Sequence, residues 1–326
     1  DFVELLSEML GELNASHTGA RYYNFPLGAP GVARIGVIFD EEYNGKGLKI
    51  KVLLRGGALS VSDPEIKAGD LILAVNGKEI EEGTEWYTAL ERTTGKRTML
   101  TVKKGHKTEE IYLTPNSSDA ELLYKRWVRH NEEMVARLSG GKVGYVHVRG
   151  MDSGSFREVY SKVLGKYRSC GAVIIDTRHN GGGWLHDDLA SLLNGKAYLD
   201  FKPRGQYIST EPYSKWTKPS CVLIGEDNYS DACGFPFVYK TLGIGKLIGA
   251  PVPGTMTAVW WERQIDPTIV FGIPQVGAWS YKDNRYLENL QIEPDILVYN
   301  DPASILRGED KQIEAAVAEM LREIGE

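Results

Sequence analysis

The chain changes its hydrophobic rhythm three times. Residues 1–10, DFVELLSEML, place apolar side chains at helical spacing and predict the end of an amphipathic helix. No start signal precedes that helix, so the chain reads as a piece of a longer one, and the lack of a leader is uninformative about its compartment. From Gly31 to Leu113 the pattern shortens to strands. GVARIGVIFD and GLKIKVLLRGGAL are expected to pair through an Asn44-Gly45 hairpin turn. IKAGDLILAVNGKEI follows, then a helix-like GTEWYTALERTTG, and the strands TMLTVKK and EEIYLTP close the unit. Over residues 119–138, Leu122, Leu123, Trp127, Val128, Met134, Val135 and Leu138 fall near a 3.6-residue period, which predicts a long helix ended by Gly140-Gly141.

Beyond Gly141, apolar strands alternate with amphipathic helices. VGYVHVRG, GAVIIDTR, the run at Cys221 and KLIGAPV read as strands. SGSFREVYSKVLGKYRS, residues 185–193 and a segment ending near Leu242 read as helices. This order predicts an α/β core with a mostly parallel sheet, whose ligands bind beyond the carboxyl ends of the strands. Two strand ends therefore matter. One opens into Arg178-His179-Asn180-Gly181-Gly182-Gly183, where three glycines let backbone approach a ligand and turn an N–H toward it. A phosphate loop is disfavoured because no Gly-Lys-Ser/Thr follows. The other strand, Cys221–Ile224, ends in a polar turn that leads to Ser230 and Asp231. A serine at a strand-to-helix turn exposes its hydroxyl beside unused N–H groups, which suits acyl transfer. The competing readings are a plain helix N-cap for Ser230 and a flexible turn for the glycines. One end offering amides and the other a hydroxyl is more specific than either alone.

Composition changes this picture little. At 326 residues, 42% hydrophobic and 25% charged, the chain is an ordinary globular protein, long enough for two domains. A net charge of −6 argues against nucleic acid as a main partner, and no apolar run is long enough to span a bilayer. Cys170, Cys221 and Cys233 are odd in number, lack a CxxC and sit by apolar segments. They are expected to be buried free thiols, which weighs mildly against an oxidising compartment and favours the cytoplasm, with the periplasm as the alternative. Ser16 and His17 lie in a polar turn. His106, His130, His147 and His179 show no partner in the sequence and are read as structural. His186-Asp187-Asp188 falls on an expected helix, where adjacent side chains diverge, so no metal site is assigned there.

Several motifs form a family resemblance. Ala68-Gly69-Asp70, the strand Leu71–Val75 and Asn76-Gly77 resemble a PDZ domain, a module that takes peptides by strand addition. AGDLILAVNGKEI followed by GYVHV, AVIIDTRHNGGGW, NYSDACGF, GKLIGAPVPG and ENLQIEPDILV resembles the tail-specific peptidases, the S41 clan of serine proteases. Within that clan, Ser-His first, PDZ next, Ser-Asp late and Glu last resembles the tricorn branch. The similarity runs from about Leu5 to the C-terminus.

The resemblance implies a ClpP/crotonase-like fold: residues 1–28 a helix end with the Ser-His loop, 29–115 a PDZ domain, and 116–326 the catalytic α/β domain. It implies Ser230 as nucleophile, with the Asp231 amide and Gly183 as oxyanion donors. It also implies His17 as general base, with Ser16 and Glu288 orienting and polarising it. Asp200, in YLDFKPRG, matches an acidic residue facing the pocket for the residue before the scissile bond, which implies a preference for Lys or Arg there. No cofactor is implied. Peptide substrates, a homo-oligomer and upstream β-propeller domains are. In a related branch a lysine serves as the base, but GAPVPGTMTAVWW, where it would stand, has none. Ala232-Cys233-Gly234 departs from the acidic residues some relatives carry there and leaves that pocket wall open. Two rival readings stand beside the Ser-His peptidase: the same fold with Ser/Lys chemistry, and a peptide-binding scaffold with a silent site.

Overall fold

A computed structural model describes residues 1–23 and 31–326. The chain forms two compact units, Asp1–Asn24 with Asn131–Glu326, and Phe25–His130. The expected boundary between residues 28 and 29 lies outside the described residues.

The first unit is built on a five-stranded, wholly parallel sheet. Its strands run Ile296–Leu297, Lys246–Gly249, Ser220–Ile224, Ala172–Asp176 and Val143–His147 in spatial order. The central strands AVIID and SCVLI are buried at every position, so they carry continuous apolar runs rather than alternation. Val173, Ile175, Val222 and Ile224 point into one cluster with Leu189, Leu192, Phe235 and Tyr239. These come from the helices His186–Leu193 and Asp231–Thr241. Each such aliphatic side chain contributes roughly 1.5–3 kcal/mol by leaving water. At the end of the Ala172–Asp176 strand, Asp176 and Arg178 form a buried pair at 2.7 Å. Tyr145 donates to Asp176 at 2.7 Å, while Arg178 reaches Asp310 and Gln312, each at 2.8 Å. Arg178 holds Asp176 in its charged form against the burial that opposes it.

Residues 1–23 belong to this unit through strand pairing that the sequence reading, which saw only a polar turn there, did not expect. Gly19–Tyr22 pairs antiparallel with Ile269–Gly272, Gly19 opposite Gly272. Asn289 donates to the Asn14 carbonyl at 2.8 Å. The helix Phe2–Gly11 precedes them. This pairing belongs to a separate three-stranded sheet completed by Glu262–Arg263, and it places residue 17 against Tyr229 and Thr257 of the same unit.

The second unit is an antiparallel sheet of Val37–Phe39, Leu48–Leu53, Leu71–Val75, Thr98–Lys104 and Lys107–Leu113 in that order, with Lys78–Glu79 added to Leu71–Val75. Ile35, Ile50, Leu59, Ile72, Leu100 and Val102 fill its core. Asn76-Gly77 makes the expected two-residue turn, with φ of +50° and +78°. Asn44-Gly45 does not. Pairing stops at Phe39 opposite Ile50, so the connection is a longer loop and Asn44 has no positive φ. The helix Ala120–Leu138 begins in this unit and ends in the other. Among the described residues, no helix is long and apolar enough to cross a membrane.

Candidate active site

The strand Ser220–Ile224 ends in a turn held by Asn228, which is fully buried. Its side-chain oxygen accepts from the Gly225 N–H at 3.2 Å, and its amide donates to Thr177 and to the Ala232 carbonyl, both at 3.0 Å. The chain then enters the helix Asp231–Thr241 through Ser230 at φ +56°, ψ −126°. A non-glycine residue rarely adopts this backbone, and it persists only where the surroundings over-determine it. Ser230 stands at the N-cap position, yet its hydroxyl makes no capping bond. Its N–H donates to Thr255 at 2.9 Å. The plain N-cap reading therefore does not describe this serine.

The glycine turn packs against it. A Cβ on Gly182 would lie 2.5 Å from the Ser230 Cβ, and one on Gly183 would lie 2.1 Å from the Met151 carbonyl oxygen. Gly183 has φ +143°, so both space and backbone require glycine. Met151 donates to the Gly182 carbonyl at 3.0 Å and accepts from the Trp184 N–H at 2.7 Å. In this parallel bridge the N–H of Gly183 itself points away from Met151. Asn180, buried, sets the turn: it accepts from the Gly182 N–H at 2.9 Å and donates to the Val148 carbonyl at 2.8 Å.

Asp231 does more than supply an amide. Its carboxylate accepts from the N–H groups of Leu185, at 2.5 Å, and His186, at 3.1 Å, and pairs with the His186 ring. The segment after Gly183 is thereby tied to the start of the helix after Ser230. The hydrogen bond that the His186 ring gives to the Asp231 carboxylate raises the His186 pKa against the effect of burial. His186 is thus engaged by one carboxylate, and among the described residues no group of three or more His, Cys, Asp or Glu is placed to hold a metal ion.

The second cluster gathers Ser16, His17 and Glu288. The Ser16 hydroxyl lies 2.9 Å from His17 Nδ1 and donates to Glu288 Oε2 at 3.1 Å, while the Ser16 N–H donates to Glu288 Oε1. Thr257 donates to the Ser16 carbonyl at 3.0 Å, and its oxygen lies 3.1 Å from His17 Nδ1. The two hydroxyls also lie 2.8 Å from each other. In the tautomer with the proton on Nδ1, their oxygens accept from it and Nε2 keeps its lone pair. Burial lowers the His17 pKa, the Glu288 charge opposes this, and Arg21 adds to the lowering.

The two clusters meet at Tyr229. Its hydroxyl accepts from the His17 N–H at 2.7 Å, and its ring lies 4.8 Å from the imidazole. Among the described residues, no hydrogen bond joins His17 to Ser230.

Asp200 stands apart, on an exposed hairpin where it pairs with Lys202 at 2.8 Å and accepts from Thr210 at 2.6 Å. Ala232 and Cys233 are buried in the core rather than lining a pocket wall. Cys221 is also buried, but Cys170 is only half-buried. His147 and His179 are not without partners: His147 lies 2.9 Å from the Arg178 carbonyl, and His179 pairs with Asp227 at 2.5 Å. Sequence reasoning missed Asn180, Thr255, Thr257 and Tyr229 and the side-chain role of Asp231. Asn180, Tyr229 and Asp231 lie in or at the end of the turns after the two strand ends, whereas no signal in the sequence marked Thr255 or Thr257.

Residues 142–298 match the model of peptidase family S41, and the resemblance to that family read from the motifs holds. Within it, the chain is similar to tricorn proteases. It is 26% identical to the tricorn protease of Thermoplasma acidophilum over 78% of this chain and 24% of that protein. It is 27% identical to tricorn protease homolog 1 of Streptomyces coelicolor over 98% of this chain and 31% of that protein. The crystal structure of the tricorn protease superposes with a TM-score of 0.87 at 25% identity, over 98% of this chain and 32% of that one. The chain thus spans a quarter to a third of these relatives' length.

Proposed function

We propose that this chain is the catalytic portion of a tricorn-like serine peptidase, acting through an acyl-enzyme. Ser230 attacks the scissile carbonyl while His17 Nε2 takes its proton and returns it to the leaving amine. Ser16 and Glu288 hold the Nδ1 proton and stabilise the imidazolium, the part an aspartate plays in other triads. The N–H groups of Gly183 and Asp231 receive the oxyanion. Water then repeats the steps on the acyl-enzyme. The reading rests above all on the Ser230 backbone: a strained serine heads a helix, with its hydroxyl not spent on capping. The family match and the tricorn superposition support it. The substrate class is peptides, and Asp200 is assigned to favouring Lys or Arg before the cut bond. The test is a fluorophosphonate probe on the intact chain. An adduct on Ser230, located by peptide mass spectrometry and lost in Ser230→Ala, is expected. Folded protein that gives no adduct would reject this reading in favour of a silent scaffold.

A further inference from the structure

The strained backbone of Ser230 is held by the two peptide planes that flank it. On one side, the Ser230 carbonyl accepts from the Cys233 N–H at 2.8 Å and from the Gly234 N–H at 3.3 Å. A trans peptide points its C=O and N–H in opposite directions, so these bonds also aim the Asp231 N–H out of the helix end. On the other side, the Ser230 N–H donates to Thr255 Oγ1 at 2.9 Å. Thr255 comes from the segment that follows the strand Lys246–Gly249, the neighbour of Ser220–Ile224 in the sheet.

The Thr255 oxygen is itself held. It lies 2.9 Å from Cys233 Sγ, and the Cys233 thiol donates to the Asn228 carbonyl at 3.3 Å. Cys233 is fully buried, and burial pushes its pKa up, so the thiol keeps its proton at neutral pH. Counting protons then orders the contacts. The thiol has one proton and gives it to a carbonyl that can only accept. Between Thr255 and Cys233 the donor is therefore the threonine hydroxyl, whose lone pairs remain for the Ser230 N–H. The result is a directed chain of hydrogen bonds: Ser230 N–H to Thr255, Thr255 O–H to Cys233, Cys233 S–H to Asn228. Its last member is the residue whose side chain closes the turn before Ser230.

Cys233 thus grips the nucleophile twice. Its N–H holds the Ser230 carbonyl directly, and its thiol holds the Ser230 N–H through Thr255. A rare backbone conformation persists only where its surroundings over-determine it, and linked hydrogen bonds polarise and strengthen one another. Without the Thr255 oxygen, the Ser230 N–H would lose its acceptor and the peptide plane would be free to turn, carrying the hydroxyl with it.

We propose that Thr255 and Cys233 are positioning residues for the nucleophile: Thr255 fixes the strained Ser230 peptide, and the Cys233 thiol fixes Thr255. The inference rests on Ser230 being the nucleophile. The intact chain and its variants are read with a fluorophosphonate probe under saturating conditions, which separates KI from kinact, and by urea unfolding. Thr255→Val keeps the side-chain shape and removes the acceptor. It should lower kinact by about tenfold to a hundredfold at unchanged KI, as a displaced nucleophile does. Cys233→Ala should act in the same direction but less. Thr255→Ser and Cys233→Ser each keep a donor and an acceptor in place and should recover most of the loss. The double variant Thr255→Val/Cys233→Ala should be no slower than Thr255→Val alone, because one chain is broken only once. Wild-type labelling by Thr255→Val, a Thr255→Ser chain as slow as Thr255→Val, or losses that multiply in the double variant overturns the proposal. If Thr255→Val does not fold, Cys233→Ala and Cys233→Ser decide, and equal kinact for the two overturns it. Folded wild-type chain that takes no label rejects the nucleophile reading instead. The same double-variant cycle in urea stability then tests the chain of bonds, which additive losses would refute.

Discussion

The two halves of the candidate site are built in different ways. The nucleophile half comes from two adjacent strands of one parallel sheet, Ala172–Asp176 and Ser220–Ile224, in register from Val173 opposite Ser220. Its supporting side chains, Asn180, Asn228 and Thr177, are fully buried and bonded to backbone. That density can hold a strained residue such as Ser230. The base half joins residues 16, 17, 257 and 288, from segments far apart in sequence, through half-buried hydroxyls and a carboxylate. It too has a non-glycine residue at positive φ, His17 at +60°, but its geometry depends on side-chain hydrogen bonds rather than on a buried backbone network.

The largest expected effect tests whether the base half is needed at all. His17→Ala should lower kcat/KM for a peptide substrate by about 10⁴-fold or more. Activity near that of the unsubstituted chain would favour a lysine base. The wild-type pH profile sharpens the point. Burial lowers the His17 pKa, so the acid limb of kcat/KM should fall below about pH 6.5, the ordinary histidine value. A limb above that value would mean that a different group titrates.

Next comes the nucleophile half's backbone. Gly183→Ala places a methyl against the Met151 carbonyl oxygen and moves the N–H assigned to the oxyanion. Loss of one such donor costs about 10²–10³-fold in kcat. Fluorophosphonate labelling and a melting curve separate that loss from misfolding. A folded variant with unchanged kcat would remove Gly183 from the oxyanion site.

These halves also differ in how much of them the sequence discloses. The runs AVIID and SCVLI are short, continuous and apolar, so a buried parallel sheet and its two functional ends follow from pattern alone. The strands Gly19–Tyr22 and Ile269–Gly272, which bring His17 to the site, carry weak patterns in GARY and IVFG. Their pairing is a long-range choice made by tertiary packing, so only the family resemblance pointed to Ser16, His17 and Glu288. Asn44-Gly45 shows the opposite failure. A strong hairpin signal is overridden because the edge strand stops at Phe39, leaving a loop too long for a two-residue turn.

A smaller effect concerns Asp200, which touches neither half. Asp200→Asn should reduce the kcat/KM ratio for substrates with Lys over Leu before the scissile bond by about tenfold. An unchanged ratio would leave Asp200 as a surface residue bonded to Lys202 and Thr210.

The smallest expected effect falls on the clamp inside the nucleophile half. His186 pairs with Asp231, which also holds the Leu185 and His186 N–H groups. The Asp231 hydrogen bond raises the His186 pKa in the folded chain. A raised histidine pKa means the folded state binds the proton more tightly than the unfolded chain does. The stabilisation is therefore complete below the unfolded value, about pH 6.5, and is lost as pH rises through the higher folded value. His186→Asn should lower Tm by about 2–4 °C at pH 5.5, corresponding to roughly 1 kcal/mol. The gap between variant and wild type should narrow toward pH 9. A gap that stays constant, or widens with pH, would mean that His186 is held neutral and that the pair acts only as a packing contact. Loss of labelling at Ser230 in this variant, with Tm unchanged, would instead assign the clamp to positioning the oxyanion donors.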